Sequence, residues 1–293
     1  METNEILNNC NFEFKKKFGQ NFITDKNLLA AICDDAEISE TDEVLEIGVG
    51  AGTLTKTLAS LSKKVVGYEV DKSLFDVLSL SLKGYENIEI VFKDFLKASS
   101  SEVNTMFNGK FKVVANLPYY ITTNIIFKLI EEDFNVTSLT LMVQKEVAER
   151  LTSKAGTKDY GTITAELDSI ADVEIKRIVS RNMFLPMPNV DSAVINIKLN
   201  RNKYEIKDIK LHQKVIRASF SMRRKTLVNC LKSNFSLNSE QIEALFEKLK
   251  YDKTIRGEVL TTKDFVNLSN AIYDMSKKKL WLHNFFIFNQ VVL

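Results

Sequence analysis

Asn116-Leu117-Pro118-Tyr119 sets a side-chain amide, a proline-directed carbonyl and an aromatic ring beside one another. The stretch follows an apolar run, Phe111 to Ala115, that reads as a buried strand, and precedes a helical pattern from Thr122 to about Glu131. In open α/β sheets, ligands bind at the carboxyl ends of strands. Four such residues suit a flat nitrogen base held by its amino edge and its face. Methylation of an exocyclic adenine amine would need this set. The N6 lone pair is delocalised into the ring, so two acceptors on its N–H groups are needed to draw it towards tetrahedral geometry. The Asn116 side-chain oxygen is one acceptor and the Leu117 carbonyl the other, its direction set by the extended conformation that Pro118 imposes. Tyr119 offers a stacking face, and base–aromatic stacking contributes about 1–3 kcal/mol. Asn116 cannot act as a base and need not. Once the nitrogen carries a methyl and a positive charge, its proton leaves to water, and rate comes from positioning and electrostatics.

An electrophile must reach that amine. Gly48-Val49-Gly50-Ala51-Gly52 lies between an apolar strand, Glu43 to Ile47, and a helix with Leu54, Leu58 and Leu61 on one face. Glycines in this pattern let the backbone approach a ligand, though GxGxG is not the dinucleotide GxGxxG and serves equally as a tight strand-to-helix turn. Glu69, in the next strand (Val65 to Val70), stands where an acidic side chain accepts two ribose hydroxyls, the alternative being a surface glutamate. Asp94, after the strand Ile88 to Phe92, either accepts from an adenine amino group or caps its own loop. Together these favour a sulfonium cofactor that needs no metal. Three widely spaced cysteines and two histidines exclude a CxxC metal site, a histidine-rich site and a Ser-His-Asp triad.

Strand and helix patterns that alternate with short connections predict a doubly wound parallel sheet. Asp25 can cap a helix through Leu28, Leu29 and Ile32, and Asp71 one through Leu74, Val77 and Leu78. Further along come a strand from Leu139 to Val143, a helix from Gln144 to Leu151, a polar loop from Lys154 to Gly161 and a strand from Val173 to Val179. Phe184-Leu185-Pro186-Met187-Pro188 is an extended loop feeding Val190 to Leu199, with Phe184 either a core anchor or a second aromatic wall for the base. From Asn200 the periodicity is helical: Ile209 to Phe220, Arg223 to Asn234, Ser239 to Lys248 and Thr262 to Met275. Arg223-Arg224-Lys225 falls at a helix start, where cations oppose the macrodipole, and this favours an anionic partner such as RNA phosphate over a solvated face. Lys15, Lys16 and Lys17 read either as part of a solvated arm or as phosphate contacts. A net charge of +2 over 293 residues confines any nucleic-acid surface to such patches. The polar first 14 residues carry no signal core, and the apolar tail 276–293 is too short to span a membrane. A cytoplasmic protein with a surface-docked tail is expected.

In their order, Phe18-Gly19-Gln20-Asn21-Phe22, Glu46-Ile47-Gly48-Val49-Gly50-Ala51-Gly52, Asn116-Leu117-Pro118-Tyr119 and Gln144-Lys145-Glu146-Val147 form a specific set. Tyr160-Gly161, Phe184 to Val194 and Arg223-Arg224-Lys225-Thr226-Leu227 extend it. From Phe18 to about Tyr273 the chain resembles the KsgA-type small-subunit rRNA adenine dimethyltransferases. The resemblance implies a Rossmann-like, S-adenosylmethionine-binding α/β domain with a seven-stranded, mostly parallel sheet over 15–199. It implies a helical RNA-binding domain over 200–275, between an N-terminal arm (1–14) and the tail. It further implies a monomer that transfers four methyls, two to each of two adjacent adenosines in the 3′-terminal hairpin loop of 16S rRNA, within the immature small (30S) subunit. Asn21, Ile23, Gly48, Gly50, Glu69, Asp94 and Asn116 match cofactor contacts, and Tyr119 and Phe184 an aromatic pair that sandwiches a flipped adenine. Val49 and Asn124 stand where the family usually has proline, and Ile23 where leucine is common. Two other readings compete. One is the large-subunit (23S) rRNA adenine methyltransferase of the macrolide-resistance type, and the other a mainly RNA-binding assembly or transcription factor. The Phe184–Val194 stretch and the Arg-Arg-Lys-Thr-Leu run favour the small-subunit type.

Overall fold

The computed structural model describes residues 3–10, 12–15, 19–23, 25–222 and 224–290, with the backbone alone at 3–4 and 278–290. The chain divides into two compact units, Met1–Thr152 with Asp172–Leu199, and Ser153–Ala171 with Asn200–Leu293.

In the first unit, α1 (Thr3–Asn9), β1 (Phe22–Ile23) and α2 (Lys26–Asp35) precede β2 (Glu43–Ile47), α3 (Thr53–Leu61) and β3 (Lys64–Glu69). Then come α4 (Phe75–Ser81), β4 (Ile88–Phe92), α5 (Ser100–Asn104), β5 (Phe111–Asn116), α6 (Thr122–Glu131), β6 (Val136–Gln144) and α7 (Lys145–Leu151). After α8 (Thr162–Ile170), which belongs to the second unit, follow β7 (Ala171–Val179), β8 (Phe184–Leu185) and β9 (Ser192–Leu199). Seven strands make one sheet in the order β4-β3-β2-β5-β6-β9-β7. The pairs β4–β3, β3–β2, β2–β5 and β5–β6 are parallel, and β6–β9 is antiparallel. Every residue of β2 is buried, as a central strand covered on both faces requires. Val44, Leu45, Val65, Val66, Val113, Val114, Leu139 and Leu141 form the inner rows. Each such buried side chain contributes about 1.5–3 kcal/mol.

The strand order fixes the site. From β2 the chain moves outward through β3 to β4, then returns to the other side of β2 as β5. The loops after β2 and β5 therefore diverge and leave a crevice at the carboxyl ends of the strands. The glycine loop and Asn116-Leu117-Pro118-Tyr119 leave the sheet there.

Some sequence expectations need correction. The N-terminal arm is not wholly solvated: α1 buries Ile6 and Leu7 in a cluster with Phe22, Val49, Leu74, Val77 and Leu78. Residues 162–170 are helical, and the second unit's core takes in Tyr160 and Ala165, so Ser153–Ala171 groups with the helices beyond Leu199. The Tyr160 hydroxyl donates to the Leu260 carbonyl at 3.0 Å.

That second unit continues with α9 (Ile209–Phe220), α10 (Leu227–Asn234), α11 (Ser239–Leu249) and α12 (Thr262–Gln290). Helix α10 starts at Leu227, so Arg224 and Lys225 lie in the turn before it rather than in its first turn; Arg223 lies outside the described residues. Helix α12 runs through the stretch expected as a separate tail, and the tail's docking falls outside the described side chains. Among the described residues, no helix is long and apolar enough to cross a membrane.

His212, fully buried on α9, ties three helices together. Its ring nitrogens lie 2.8 Å from the Ser169 hydroxyl on α8 and 2.9 Å from the Ser269 hydroxyl on α12. Burial pushes the imidazole down from 6.5 to about 4. The unfolded chain therefore binds more protons than the native one between these values. The stability this group contributes is complete above about pH 6.5 and is lost as pH falls to about 4, on the order of 3 kcal/mol in all. Urea unfolding of wild type and His212→Asn across pH 4–7 checks this. The wild-type curve should fall more steeply than the variant's, and parallel curves would assign the pH dependence elsewhere.

Candidate active site

One cavity of about 310 Å³ opens at the crevice. Asn21, Ile23, Gly48, Gly50, Glu69, Asp94 and Asn116 all line it, as do Leu117, Pro118 and Tyr119. Its size suits a small cofactor.

The glycine loop leaves β2 with Gly48, Gly50 and Gly52 at φ of 82°, 57° and 78°. A Cβ on Gly50 would come within 2.8 Å of the Phe22 ring, so this position is closed by space as well as by φ. Val49, the substitute for proline, is buried, and a Cβ on the facing Gly67 would lie 2.5 Å from its side chain. The loop is thus held by packing.

Glu69 is 6% exposed. Its two carboxylate oxygens each accept a backbone N–H at 2.8 Å, one from Gly50 and the other from Asp71. Burial raises its pKa, and these N–H groups oppose the rise. Each oxygen keeps a lone pair for a hydroxyl donor. Asp94 caps the 3-10 turn Phe95–Lys97 by accepting from Leu96 N at 3.0 Å, and it also lines the cavity. The cap and ligand readings of Asp94 coexist.

Glu46, singled out in the sequence only as part of a motif, has a larger place in the site than that pattern announces. It lies on β2, 1% exposed, in the cavity wall, and its Oε2 has no hydrogen-bond partner among the described residues. Burial pushes its carboxyl up to about 8, and the Glu69 charge adds to the rise. The buried Thr55 hydroxyl tempers the shift without reaching hydrogen-bond geometry. A buried carboxyl with no partner is costly unless a donor arrives. The only sequence signal is an acid inside an otherwise apolar strand.

At the clamp, Asn116 closes β5 and its Nδ2 donates to the Asn21 carbonyl at 2.8 Å. That bond uses the amide's donor end and leaves Oδ1 as an acceptor. Pro118, at φ −57° and ψ 128°, starts the 3-10 turn Tyr119–Ile121, and Ile121 N donates back to the Pro118 carbonyl at 3.1 Å. The Tyr119 hydroxyl shares a 2.7 Å hydrogen bond with the Ser192 hydroxyl at the start of β9.

A family model described as ribosomal RNA adenine dimethylase matches residues 11–274. This chain belongs to that family. It is 43% identical over 272 residues to ribosomal RNA small subunit methyltransferase A of Clostridium acetobutylicum, covering 92% of this chain and 98% of that one. A solved dimethyladenosine transferase from Plasmodium falciparum superposes with a TM-score of 0.73 at 27% identity, covering 88% of this chain and 98% of that one. The 23S rRNA methyltransferase ErmE superposes with a TM-score of 0.65 at 26% identity, covering 86% and 99%. The chain is an S-adenosylmethionine-dependent methyltransferase acting on adenine in ribosomal RNA.

The cavity fits that cofactor. The left-handed glycines allow close backbone approach, Glu69 offers acceptors for ribose hydroxyls, and the unpartnered Glu46 oxygen suits a cationic amino-acid end. When bound, S-adenosylmethionine supplies the electrophilic sulfonium methyl.

Two expected contacts are placed elsewhere in this dimethylase. Phe184 is 5% exposed and sits in the core cluster with Ile23, Leu29, Met142 and Val194, opposite Ile23 in the β1–β8 ladder. Its anchor reading is the one this packing supports, since it does not line the cavity. Lys15 is not an open phosphate contact. Its ammonium donates to Asp71 Oδ1 at 2.8 Å and to the Ser73 hydroxyl at 2.6 Å, while Gln20 donates to the other Asp71 oxygen at 2.9 Å. Asp71 is almost wholly buried and draws the lysine inward. Lys16 and Lys17 lie outside the described residues.

Proposed function

We propose that this enzyme dimethylates N6 of two adjacent adenosines in the 3′-terminal hairpin loop of 16S rRNA, acting as a cytoplasmic monomer on the immature small subunit. The observation that carries the chemistry is the Asn116 amide, whose donor end is occupied by the Asn21 carbonyl so that Oδ1 remains to accept from an amine. Oδ1 and the Leu117 carbonyl receive the two N6–H groups, and the Tyr119 ring carries the face of an extruded adenine. Asn21, Ile23, Gly48, Gly50, Glu69 and Asp94 hold the cofactor beside that amine. Identity of 43% over nearly the whole of the small-subunit relative supports the choice of address. The likeness to ErmE favours large-subunit RNA instead, but at 26% identity it is the weaker support.

Methyl transfer from labelled cofactor to small subunits isolated from a strain lacking this modification, with the products mapped, tests the assignment. Label is expected in dimethyladenosine near the 3′ end of 16S rRNA, and label confined to 23S rRNA would sink it. Arg224 and Lys225 are both exposed and are assigned to RNA phosphate. Replacing both by alanine should reduce the slope of log affinity against log salt by about 0.7–0.9 per lost contact while cofactor binding stays unchanged. An unchanged slope would return the pair to the solvated surface.

A further inference from the structure

Dimethylation poses a problem that a single methyl transfer does not. An unmodified N6 offers two N–H groups to two acceptors, Asn116 Oδ1 and the Leu117 carbonyl. Each transfer forms an N6–C bond, breaks the cofactor's S–C(methyl) bond and releases one N6 proton to water. After the first, the amine keeps one N–H, and one acceptor faces a methyl group or nothing. The hydrogen bonds that aimed the base are halved just when its amino edge has become bulkier. Alignment in the second transfer must then come from the surface that holds the face of the base.

Tyr119 is that surface, and it is held at both ends. Its backbone lies in the turn closed by Ile121 N on the Pro118 carbonyl at 3.1 Å. Its hydroxyl lies 2.7 Å from Ser192 Oγ. Ser192 is fully buried at the start of β9, paired with Gln144 at the end of β6, so it is fixed by the sheet itself. A stacking wall alone requires only the ring, and phenylalanine would supply it. The hydroxyl adds a tether that stops the ring from swinging about its two side-chain torsions. Phe184, the other member of the expected pair, packs in the core cluster, and although Phe22, Tyr68, Phe95 and Tyr120 also line the cavity, Tyr119 is the ring carried by the clamp itself.

We propose that Ser192 is a positioning residue for the second methyl transfer, its hydrogen bond fixing the Tyr119 ring that aligns the monomethylated adenine. Ser192 takes no part in bond making or proton transfer. The inference rests on the clamp reading of Asn116 to Tyr119 given above.

The test compares wild type with Ser192→Ala, Tyr119→Phe, the double variant and Ser192→Thr on unmethylated small subunits, at saturating S-adenosylmethionine. Digestion to nucleosides gives the ratio of N6-methyladenosine to N6,N6-dimethyladenosine at matched total transfer. Ser192→Ala and Tyr119→Phe should each raise that ratio roughly tenfold, and in Ser192→Ala the first transfer should slow by no more than about threefold. The double variant should match either single one, because both remove the same bond. Ser192→Thr keeps a hydroxyl and should restore the wild-type ratio. Affinity for S-adenosylhomocysteine, measured by calorimetry, should be unchanged throughout and reports an intact cofactor site. A ratio that stays at the wild-type value while total activity falls would make Ser192 merely structural, and additive losses in the double variant would separate the two hydroxyls; either result overturns the proposal. Absence of wild-type label from small-subunit RNA is a different failure, that of the substrate assignment. The same ratio is then read on the RNA that wild type does methylate.

Discussion

Asn116→Ala should reduce single-turnover methyl transfer by roughly 10²–10³-fold, the loss typical when one preorganised hydrogen-bonding group at a reacting centre is removed. Asn116 Oδ1 is half of the acceptor pair that draws the N6 lone pair out of the ring. Alanine removes it and also strips the Asn21 carbonyl of its 2.8 Å donor. Because Asn21 and Asn116 both line the cavity, a modest weakening of cofactor binding accompanies the kinetic loss. Binding of small-subunit RNA should be little affected, since Arg224 and Lys225, the phosphate contacts assigned to it, are in the other compact unit. Asn116→Asp tests the donor end separately. A carboxylate keeps acceptors for the amine but cannot donate to the Asn21 carbonyl, and the two oxygens repel. The aspartate variant should therefore be severely impaired too, with its defect easing as the pH falls and the carboxyl regains a proton to donate. Retention of more than about a tenth of wild-type transfer by Asn116→Ala would remove Asn116 from its assigned role.

The clamp is legible in the sequence because a strand, a proline and a helix start bracket it closely. The crevice is legible as well, since short βα connections dictate a doubly wound sheet. Long-range pairing is not. Lys15 reads as the start of a charged run, and nothing local announces that Asp71, 56 residues away, takes its ammonium. Glu46 sits in an apolar run whose local pattern gives no hint that the acid is sealed between two neighbouring strands and faces the cavity. Helix α8 is hidden for a different reason. Polar Thr162, Thr164, Glu166 and Asp168 alternate with apolar Ile163, Ala165 and Leu167, so the local pattern imitates the period of a strand rather than the 3.6 period of a helix. Its one buried acid, Glu166, is answered by Arg217 of α9 at 2.8 Å, again a partner distant in sequence. Phe184 shows the limit of motif matching. An aromatic at the right place in a matching run can pack inward, and its pairing with Ile23 at the β1–β8 ladder does so here.

Glu69→Ala should weaken S-adenosylhomocysteine binding by about 3 kcal/mol, roughly 10²-fold in Kd, as expected when charge-assisted hydrogen bonds are lost. The carboxylate has two tasks, and the substitution removes both. It accepts from Gly50 N and Asp71 N, which holds the glycine loop against the tip of β3, and it presents its remaining lone pairs to ribose. Glu69→Gln separates the tasks. Glutamine keeps the size and one acceptor, and a site that needed only a hydroxyl partner would tolerate it. Here its NH₂ must face an N–H of either Gly50 or Asp71, donor against donor, so the loop is pushed away whichever way the amide turns. The glutamine variant should therefore bind nearly as poorly as alanine, and binding within about threefold of wild type would leave the loop-holding role without support. Protonation of Glu69 mimics part of this change. Its pKa is raised in the folded protein by burial, so cofactor affinity should begin to fall with decreasing pH while surface glutamates are still fully ionised. In Glu69→Gln that acid limb should be absent. Calorimetric titrations of wild type and variant across the mildly acidic range, with protein integrity checked at each pH, decide the point: an identical acid limb in both would place the titrating group elsewhere.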